Sequence, residues 1–486
     1  MRVASIIAED LSSAQKQIKI AAPVADIIEL RLDYWQTLNL QEVAQLRHEV
    51  TVPIIFTLRK PSQGGHFKGS EEERLSLINQ LATLSPEYLD LEFDVDLDWA
   101  LTLHAQYPSI QLIRSYHDFK ETPEDLEPLF ERVYHPAFSL YKMAVYANNI
   151  CDTLRFLIFL RTKAQKHRVI GMAMGEYGQV SRILAPVVGS EFSYGSIDTE
   201  NTAAPGQLTL EELTTIYRVQ TLNRDTAIYA LLGDPVVHSR GHIFHNAAFP
   251  RLEQNAVYVK LRVDAAVLHQ AMQLLRQLPF AGFSITMPHK ETIVPFVDRL
   301  ADDAKAIGII NTIKRQGNLY YAFNTDSRAG AVLLHAKLGR LHGQNILILG
   351  AGGSAKAIAF ALLSEGAQVT LCNRTLQRAQ DFNREHGGDC LSFAALFTLT
   401  EFPFTAVINT LPGAAYAEQC ENWVIPKPQN SQLHVAMDIV YSFSKDLNQA
   451  SITPFLEMAD HAGWECISGD KFFNEQALQQ LQIWFV

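Results

Sequence analysis

The chain has 486 residues, 48% of them hydrophobic and 19% charged, which is enough to bury several cores and excludes a largely disordered chain. A net charge of −11 and a pI near 5.8 exclude a nucleic-acid binder held by a broad basic face, though local arginines and lysines can still meet anionic small molecules. The first apolar run is too short for a signal-peptide core, and no stretch approaches the roughly 18 apolar residues of a membrane span. Five scattered cysteines form no CxxC, so a reducing cytoplasm is expected, without a metal site or a disulfide framework.

Short apolar, β-branched runs recur roughly every 20 to 30 residues: 3–8, 27–32, 53–58, 88–93, 110–115, 140–145, 169–173 and 192–197. Helix-compatible segments such as 70–84 and 149–165 separate them. Eight strands alternating with helices predict an α/β fold, a closed (β/α)8 barrel, with a doubly wound open sheet as the alternative. The strand ends carry Glu29 and Arg31 in IIELRLD, Arg59 in IIFTLRK, Glu92 in YLDLEFD, His117 in IRSYHDF and Lys142 in SLYKMAV. A barrel enzyme gathers its chemistry at those ends, and each buried ionisable group there needs a partner or a shifted pKa. Rim salt bridges are the plainer explanation of the same pattern.

Lys142 interrupts an otherwise apolar strand beside Leu140 and Met143. Desolvation and nearby arginines disfavour an ammonium there. Lowering a lysine from about 10.4 to about 7 takes roughly 4–5 kcal/mol of differential interaction, within reach of a buried site. A neutral amine can form an imine with a ketone, and the imine acidifies the adjacent C–H for a positioned histidine to remove. The residues alone reach a Schiff-base barrel enzyme, a class that holds aldolases and transaldolases as well as dehydratases.

ELR, TLRxxxxGG, SYHDF, the lysine of YKMAV, GQVSR and APGQ occur in that order and resemble type I 3-dehydroquinate dehydratase over approximately residues 1–220. The resemblance implies Lys142 as the imine lysine and His117 as general acid/base. His117 would take the proton next to the imine and then protonate the departing hydroxyl. Arg182 would bind the substrate carboxylate. Glu29, Arg31, Arg59 and Gln207 would hold its hydroxyls and carboxylate, with Ser5 assisting. Two positions depart from the pattern: Gln63 replaces a glutamate before the glycine pair, and Ala203 replaces a serine, with Thr202 beside it. Gln63 is expected to orient His117 without lending it charge.

Beyond a helix at 211–222 and a polar joint, NRDT at 223–226, a new strand begins at Ala227. NILILGAGGSA at 345–355 runs a buried-type strand into Gly350, Gly352 and Gly353 ahead of a helix-like segment, the spacing of a dinucleotide fold. The next strand, 368–371, ends in CNRTLQR, without an acid for a bare ribose 2′-hydroxyl. Asn373, Arg374, Thr375 and Arg378 suit a 2′-phosphate, so NADP(H) is expected over NAD. A solvated helix face is the alternative for the two arginines.

GDPVVHS, FSITMPHK, IGIINTI and FNTD, followed by GAGGSA and NRT, resemble shikimate dehydrogenase over approximately residues 226–486. The resemblance implies Lys290 and Asp326 as the catalytic pair, Lys290 donating to the carbonyl oxygen as hydride arrives. An ordinary salt bridge is the alternative for that pair. It also implies Ser239, Thr286, Asn311, Tyr441 and Gln476 as substrate ligands and Gly469 in the cofactor cleft. Gly241, Pro412 in NTLPG, and Phe472 depart from the family pattern.

The division implied is a barrel at 1–222, a substrate-binding domain at 226–335 completed by a helix within 470–486, and a Rossmann-like NADP domain at 336–469. The product of the first reaction is the substrate of the second. The whole chain therefore resembles bifunctional enzymes that take 3-dehydroquinate through 3-dehydroshikimate to shikimate. Only small-molecule partners are implied, with no nucleic acid or membrane, and the oligomeric state stays open. The competing readings are an aldolase-type barrel fused to a quinate-preferring dehydrogenase, and a ligand sensor without turnover.

Overall fold

The computed structural model describes residues 1–420, 423–428, 431–440 and 452–486. They fall into two units, Met1–Phe280 and Ala281–Val486. Eight strands open the first: β1 (Arg2–Ile6), β2 (Ile27–Arg31), β3 (Ile54–Thr57), β4 (Tyr88–Glu92), β5 (Gln111–His117), β6 (Leu140–Tyr146), β7 (Val169–Met174) and β8 (Ser193–Gly195). Their order is β7-β6-β5-β4-β3-β2-β1-β8, with parallel ladders throughout. At the seam between β7 and β8, Glu191 N–H donates to the Val169 carbonyl (2.8 Å) and Gly171 N–H to the Ser190 hydroxyl (3.0 Å). The result is a nearly closed barrel, and the open-sheet alternative falls for this half. Val3, Ile27, Ile55, Ile113 and Ile170 pack together in its core, stiff β-branched side chains suited to inward-facing strand positions.

The helix expected at 211–222 is broken. A π-turn, Glu212–Ile216, and a 3-10 turn, Val219–Thr221, flank Arg218, whose φ of 51° lies in the left-handed region. Few side-chain-bearing residues adopt that conformation. Here the Arg218 guanidinium donates to the Ala256 carbonyl at 3.1 Å, a long-range bond that helical periodicity cannot foretell. Two more parallel strands, β9 (Ala227–Gly233) and β10 (Ala256–Arg262), follow in the same unit. Arg262 donates to Asp234 and to Glu176, each at 2.9 Å, and Tyr177 donates to Asp264 at 2.6 Å. Glu176 and Tyr177 lie on the loop after β7, so the barrel and this ladder are tied together.

In the second unit β11 (Phe280–Ile285), β12 (Arg299–Leu300), β13 (Thr312–Gln316) and β14 (Leu319–Phe323) come first. β13 is antiparallel to β11 and β14, and β12 runs parallel to β14. Six parallel strands follow: β15 (Asn345–Leu349), β16 (Gln368–Cys372), β17 (Asp389–Leu391), β18 (Ala406–Asn409), β19 (Val435–Asp438) and β20 (Glu465–Ile467). Their order, β17-β16-β15-β18-β19-β20, is the doubly wound order of dinucleotide folds. Along β15, Ile346 and Ile348 enter one core and Leu347 and Leu349 the other, the period of two that a sheet covered on both faces requires. Phe472 joins the first of those cores. The last helix, Gly469–Phe485, returns to β13: Gln480 donates to the Thr312 hydroxyl (3.0 Å) and the Trp484 indole to the Ile313 carbonyl (3.1 Å). No helix among the described residues is long and apolar enough to cross a membrane.

Glu92 follows the salt-bridge explanation. It accepts from Arg74, whose side chain is fully buried, at 2.7 Å and from the Lys60 N–H at 3.0 Å. Arg74 also donates to Glu71 and to the Leu58 carbonyl. Glu92→Ala removes the buried acid from the guanidinium and leaves it only the half-exposed Glu71, and the expected cost is about 3 kcal/mol. It is read as a lower urea midpoint for unfolding of the barrel.

Candidate active sites

The C-terminal ends of the barrel strands and the loops beyond them enclose a pocket that brings together Ser5, Glu29, Arg31, Arg59, His117, Lys142, Arg182 and Gln207. Parallel register makes the convergence: Ser5 lies opposite Glu29, and Ser115 opposite Lys142, so neighbouring strands present the same level to the lumen. Lys142 Nζ donates to Asp90 at 2.9 Å and to Glu29 at 3.3 Å. Asp90 also lies 2.7 Å from Arg59 and accepts from the Ser115 hydroxyl at 2.6 Å. Glu29 accepts from the hydroxyls of Ser5 (2.9 Å) and Thr57 (3.0 Å). Arg31 grips Asp33 through two bonds of 2.9 and 2.8 Å. In the glycine pair, a Cβ on Gly65 would lie 2.0 Å from the Arg59 carbonyl oxygen, so only glycine fits.

Asp90 was not anticipated. YLDLEFD offers two acids on one face of a strand; Asp90 meets Lys142, and Glu92 is taken by Arg74 from a neighbouring helix. Its presence also revises the picture of Lys142. The sequence suggests a bare amine among arginines; the structure holds it between two carboxylates, which compensate its burial and can accept its protons. Burial alone would raise both acids, but Lys142, Arg31 and Arg59 hold Glu29 below the usual carboxylate range. Arg59, Lys142 and His117 do the same for Asp90. Burial, reinforced by Arg59 and Lys142, pushes His117 well below an ordinary histidine, which favours the neutral ring. Gln63 accepts from the His117 backbone N–H at 2.9 Å, so it orients the histidine through its main chain, and ring Nδ1 has no partner.

Arg182 stands apart. It is 1% exposed and donates only to the carbonyls of Ala173 (2.9 Å) and Gly206 (3.4 Å), while its Nε has no partner. Burial lowers its pKa to about 10, and no acid among the described residues offsets that. Arg31, Arg59 and Lys142 are matched by Glu29, Asp33 and Asp90, so Arg182 is the surplus cation of the pocket. Gln207 accepts from the Ala203 N–H at 2.8 Å.

In the second unit Lys290 donates to Asp326 and, at 2.8 Å, to the Ser354 hydroxyl. Ser354 in turn donates to Asp326 at 2.9 Å, and Asn311 donates to the other carboxylate oxygen at 2.8 Å. Thr325 joins Asn311 to Gln476, donating to the latter at 3.4 Å. Ser354 is a second residue missed in the sequence, hidden because it stands inside the glycine motif and reads as part of the turn. Thr286 follows β11 and accepts from the His289 N–H through its carbonyl at 3.0 Å. Tyr441 lies outside the described residues. Ser239, in the first unit, accepts from the Gly241 N–H at 3.2 Å. A Cβ on Gly241 would lie 3.3 Å from that hydroxyl and 3.2 Å from the Tyr258 phenol oxygen, a tight fit for any larger residue.

Gly350 has φ 113°, and a Cβ there would lie 2.4 Å from the Thr410 hydroxyl. Thr410 and Leu411 belong to the NTLPG loop, pinned by Thr410 donating to the Leu349 carbonyl (2.7 Å) and Asn409 donating to Asp438 (3.0 Å). At Gly352 a Cβ would meet nothing, whereas at Gly353 it would meet Lys290 at 3.4 Å. The helix Gly353–Ser364 has no side-chain cap, so its first N–H groups are free to meet a phosphate. Beyond β16, Asn373 donates to the Thr375 carbonyl at 2.9 Å, and Arg374 and Arg378 are exposed, Arg374 within 3.3 Å of Glu418. Gly469 opens the last helix and is buried. Among the described residues no three His, Cys, Asp or Glu are grouped to hold a metal.

Family models match residues 3–224 as type I 3-dehydroquinase, 231–313 as the shikimate dehydrogenase substrate binding domain, and 332–406 as shikimate/quinate 5-dehydrogenase. The chloroplastic bifunctional 3-dehydroquinate dehydratase/shikimate dehydrogenase of Arabidopsis thaliana is 32% identical over 479 residues, 94% of this chain and 77% of that one. The shikimate biosynthesis protein AroDE of Chlamydia pneumoniae is 31% identical over 485 residues, 100% of this chain and 95% of that one. Among solved structures, shikimate dehydrogenase from Aquifex aeolicus aligns at 28% identity and a TM-score of 0.47, over 54% of this chain and 94% of that one. With both modules matched in order and relatives similar along its full length, the chain belongs to the family of bifunctional 3-dehydroquinate dehydratase/shikimate dehydrogenases.

Proposed function

We propose that the barrel dehydrates 3-dehydroquinate through an imine on Lys142, and that the rest of the chain reduces the product, 3-dehydroshikimate, to shikimate with NADPH. The observation that carries the first step is a buried lysine and, lining the same pocket, a buried arginine that lacks a counter-ion. Arg182 takes the substrate carboxylate, the one charge the pocket leaves unmet. Arg31, Arg59, Ser5 and Gln207 hold the hydroxyls and orient the ring. Lys142 gives up protons to Glu29 and Asp90 as it attacks the ketone. Neutral His117 removes the proton next to the imine and returns it to the departing hydroxyl, and water then frees the product.

The second half fits NADP(H): the uncapped helix start and the open face of Gly352 suit a pyrophosphate, with Gly350 and Gly353 shaping the turn. Asn373, Arg374, Thr375 and Arg378 suit the 2′-phosphate, and Gly469 stays assigned to the cofactor cleft. When bound, the reduced nicotinamide supplies hydride. Lys290 donates to the carbonyl oxygen, while Asp326 and Ser354 hold the lysine in place. Asn311, Thr286 and Gln476 meet the substrate hydroxyls and carboxylate. Ser239 and Tyr441 keep that role on the resemblance alone. We read 1–222, 226–335 with 470–486, and 336–469 as the functional parts. The five thiols, free among the described residues, suit a cytoplasmic enzyme.

Purified protein given 3-dehydroquinate and NADPH alone should consume NADPH; no consumption sinks the reading. In the same assay Lys142→Ala should lose at least about a thousandfold in dehydration yet oxidise shikimate near the original rate. Because the neutral form of His117 is the base and its pKa lies well below 6.5, dehydration kcat/KM should stay level as pH falls from 8 through 6.5. A decline centred at 6.5 would contradict the assignment. Replacing both Arg374 and Arg378 by alanine should raise KM for NADP about tenfold and leave that for NAD nearly unchanged.

A further inference from the structure

One buried polar group in the barrel pocket has no part in the scheme above. Tyr194 stands on β8, opposite Val3 on β1, and lines the pocket while packing into the lumen core. It is 4% exposed, and its phenol oxygen has no hydrogen-bond partner. A phenylalanine would fill the same space without leaving a buried hydroxyl unmet, which costs free energy wherever it occurs. The ring is also placed against the reacting nitrogen: Lys142 Nζ lies 4.4 Å from its centroid. Burial, with Glu29 and Asp90 nearby, raises the phenol well above 10, although Arg59 pulls the other way, so the group is a donor at neutral pH.

We propose that Tyr194 is a further catalytic residue of the dehydratase, its phenol O–H donating to the oxygen that the substrate ketone loses as the imine on Lys142 forms. The inference rests on the imine reading of Lys142. The ketone oxygen is joined to the carbon that Nζ attacks, and so develops two bonds from Nζ, in the pocket that the Tyr194 phenol also lines. The C–N bond forms as the C=O π pair moves onto oxygen, and the C–O bond then breaks as the nitrogen lone pair closes the C=N bond. An ammonium brings three protons; two leave with the oxygen as water and one stays on the protonated imine, so charge and atoms balance. Glu29 and Asp90, both in contact with Nζ, relay the two protons. The phenol keeps its own proton and stabilises negative charge on the oxygen while the carbinolamine forms.

The test is borohydride trapping in a single turnover with 3-dehydroquinate, comparing the intact chain with Tyr194→Phe, which keeps the ring over the lysine. In the variant the mass adduct on Lys142 should form about tenfold more slowly, and steady-state kcat should fall about tenfold with KM within about twofold. Shikimate oxidation and the thermal midpoint, unchanged, show that the chain is folded. Adduct formation at the original rate, or a change in KM alone, overturns the role of Tyr194 while leaving the imine intact. If the unaltered chain forms no adduct on Lys142, the imine reading fails and this inference falls with it.

Discussion

Lys142 Nζ lies 2.9 Å from Asp90 and 3.3 Å from Glu29 at a depth where its side chain is 3% exposed, and Arg59 shares the same aspartate at 2.7 Å. Charges taken this far from water are tolerable only in combination, and deleting any one leaves its partners uncompensated. The barrel's strand register exists, in effect, to keep that combination together. Acids from β2 and β4 and a cation from β6 meet in the lumen, and the glycine pair lets the chain pass close to the Arg59 carbonyl. With those three cations and three carboxylates matched, the Arg182 guanidinium is left as the pocket's cation without an acid partner.

Lys142 and Lys290 show how surroundings divide one chemistry into two. Lys290 also pairs with a carboxylate, but its side chain is 16% exposed and it shares the acid with a hydroxyl, Ser354, from the glycine turn. An amine so held is a fixed hydrogen-bond donor. Lys142 lies instead between two acids that can accept its protons, the surroundings that the proposed imine chemistry needs. Ser354 also means that the turn expected to carry the cofactor and the group expected to polarise the substrate are joined by direct bonds.

Much of the barrel was legible because each strand is a short β-branched run and each polar residue at its end interrupts that run. Glu29, Arg31, Arg59, His117 and Lys142 were found that way. Glu92 and Asp90 are not told apart by the sequence for one reason: both lie on the same face of one strand, and what separates them is a buried arginine on a neighbouring helix. The broken segment at 211–222 failed similarly, its apolar spacing being helical while the left-handed Arg218 is fixed from 38 residues away. Tyr194 sits in a strand where any aromatic passes for core, and only the unmet hydroxyl marks it out.

The loop after β7 serves two masters. Outward, Glu176 and Tyr177 hold Arg262 and Asp264 of the β9–β10 ladder. Inward, Gly175 donates to the Pro205 carbonyl, and its own carbonyl leaves no room for a Cβ on Gly206, whose carbonyl is one of the two that Arg182 touches. A barrel trimmed at the polar joint, by protease or by gene splitting, would therefore forfeit the external buttress behind the turn that Arg182 touches. The covalent union of the modules is thus architectural as well as stoichiometric, and an ancestral or engineered stand-alone dehydratase would have to brace that loop by other means.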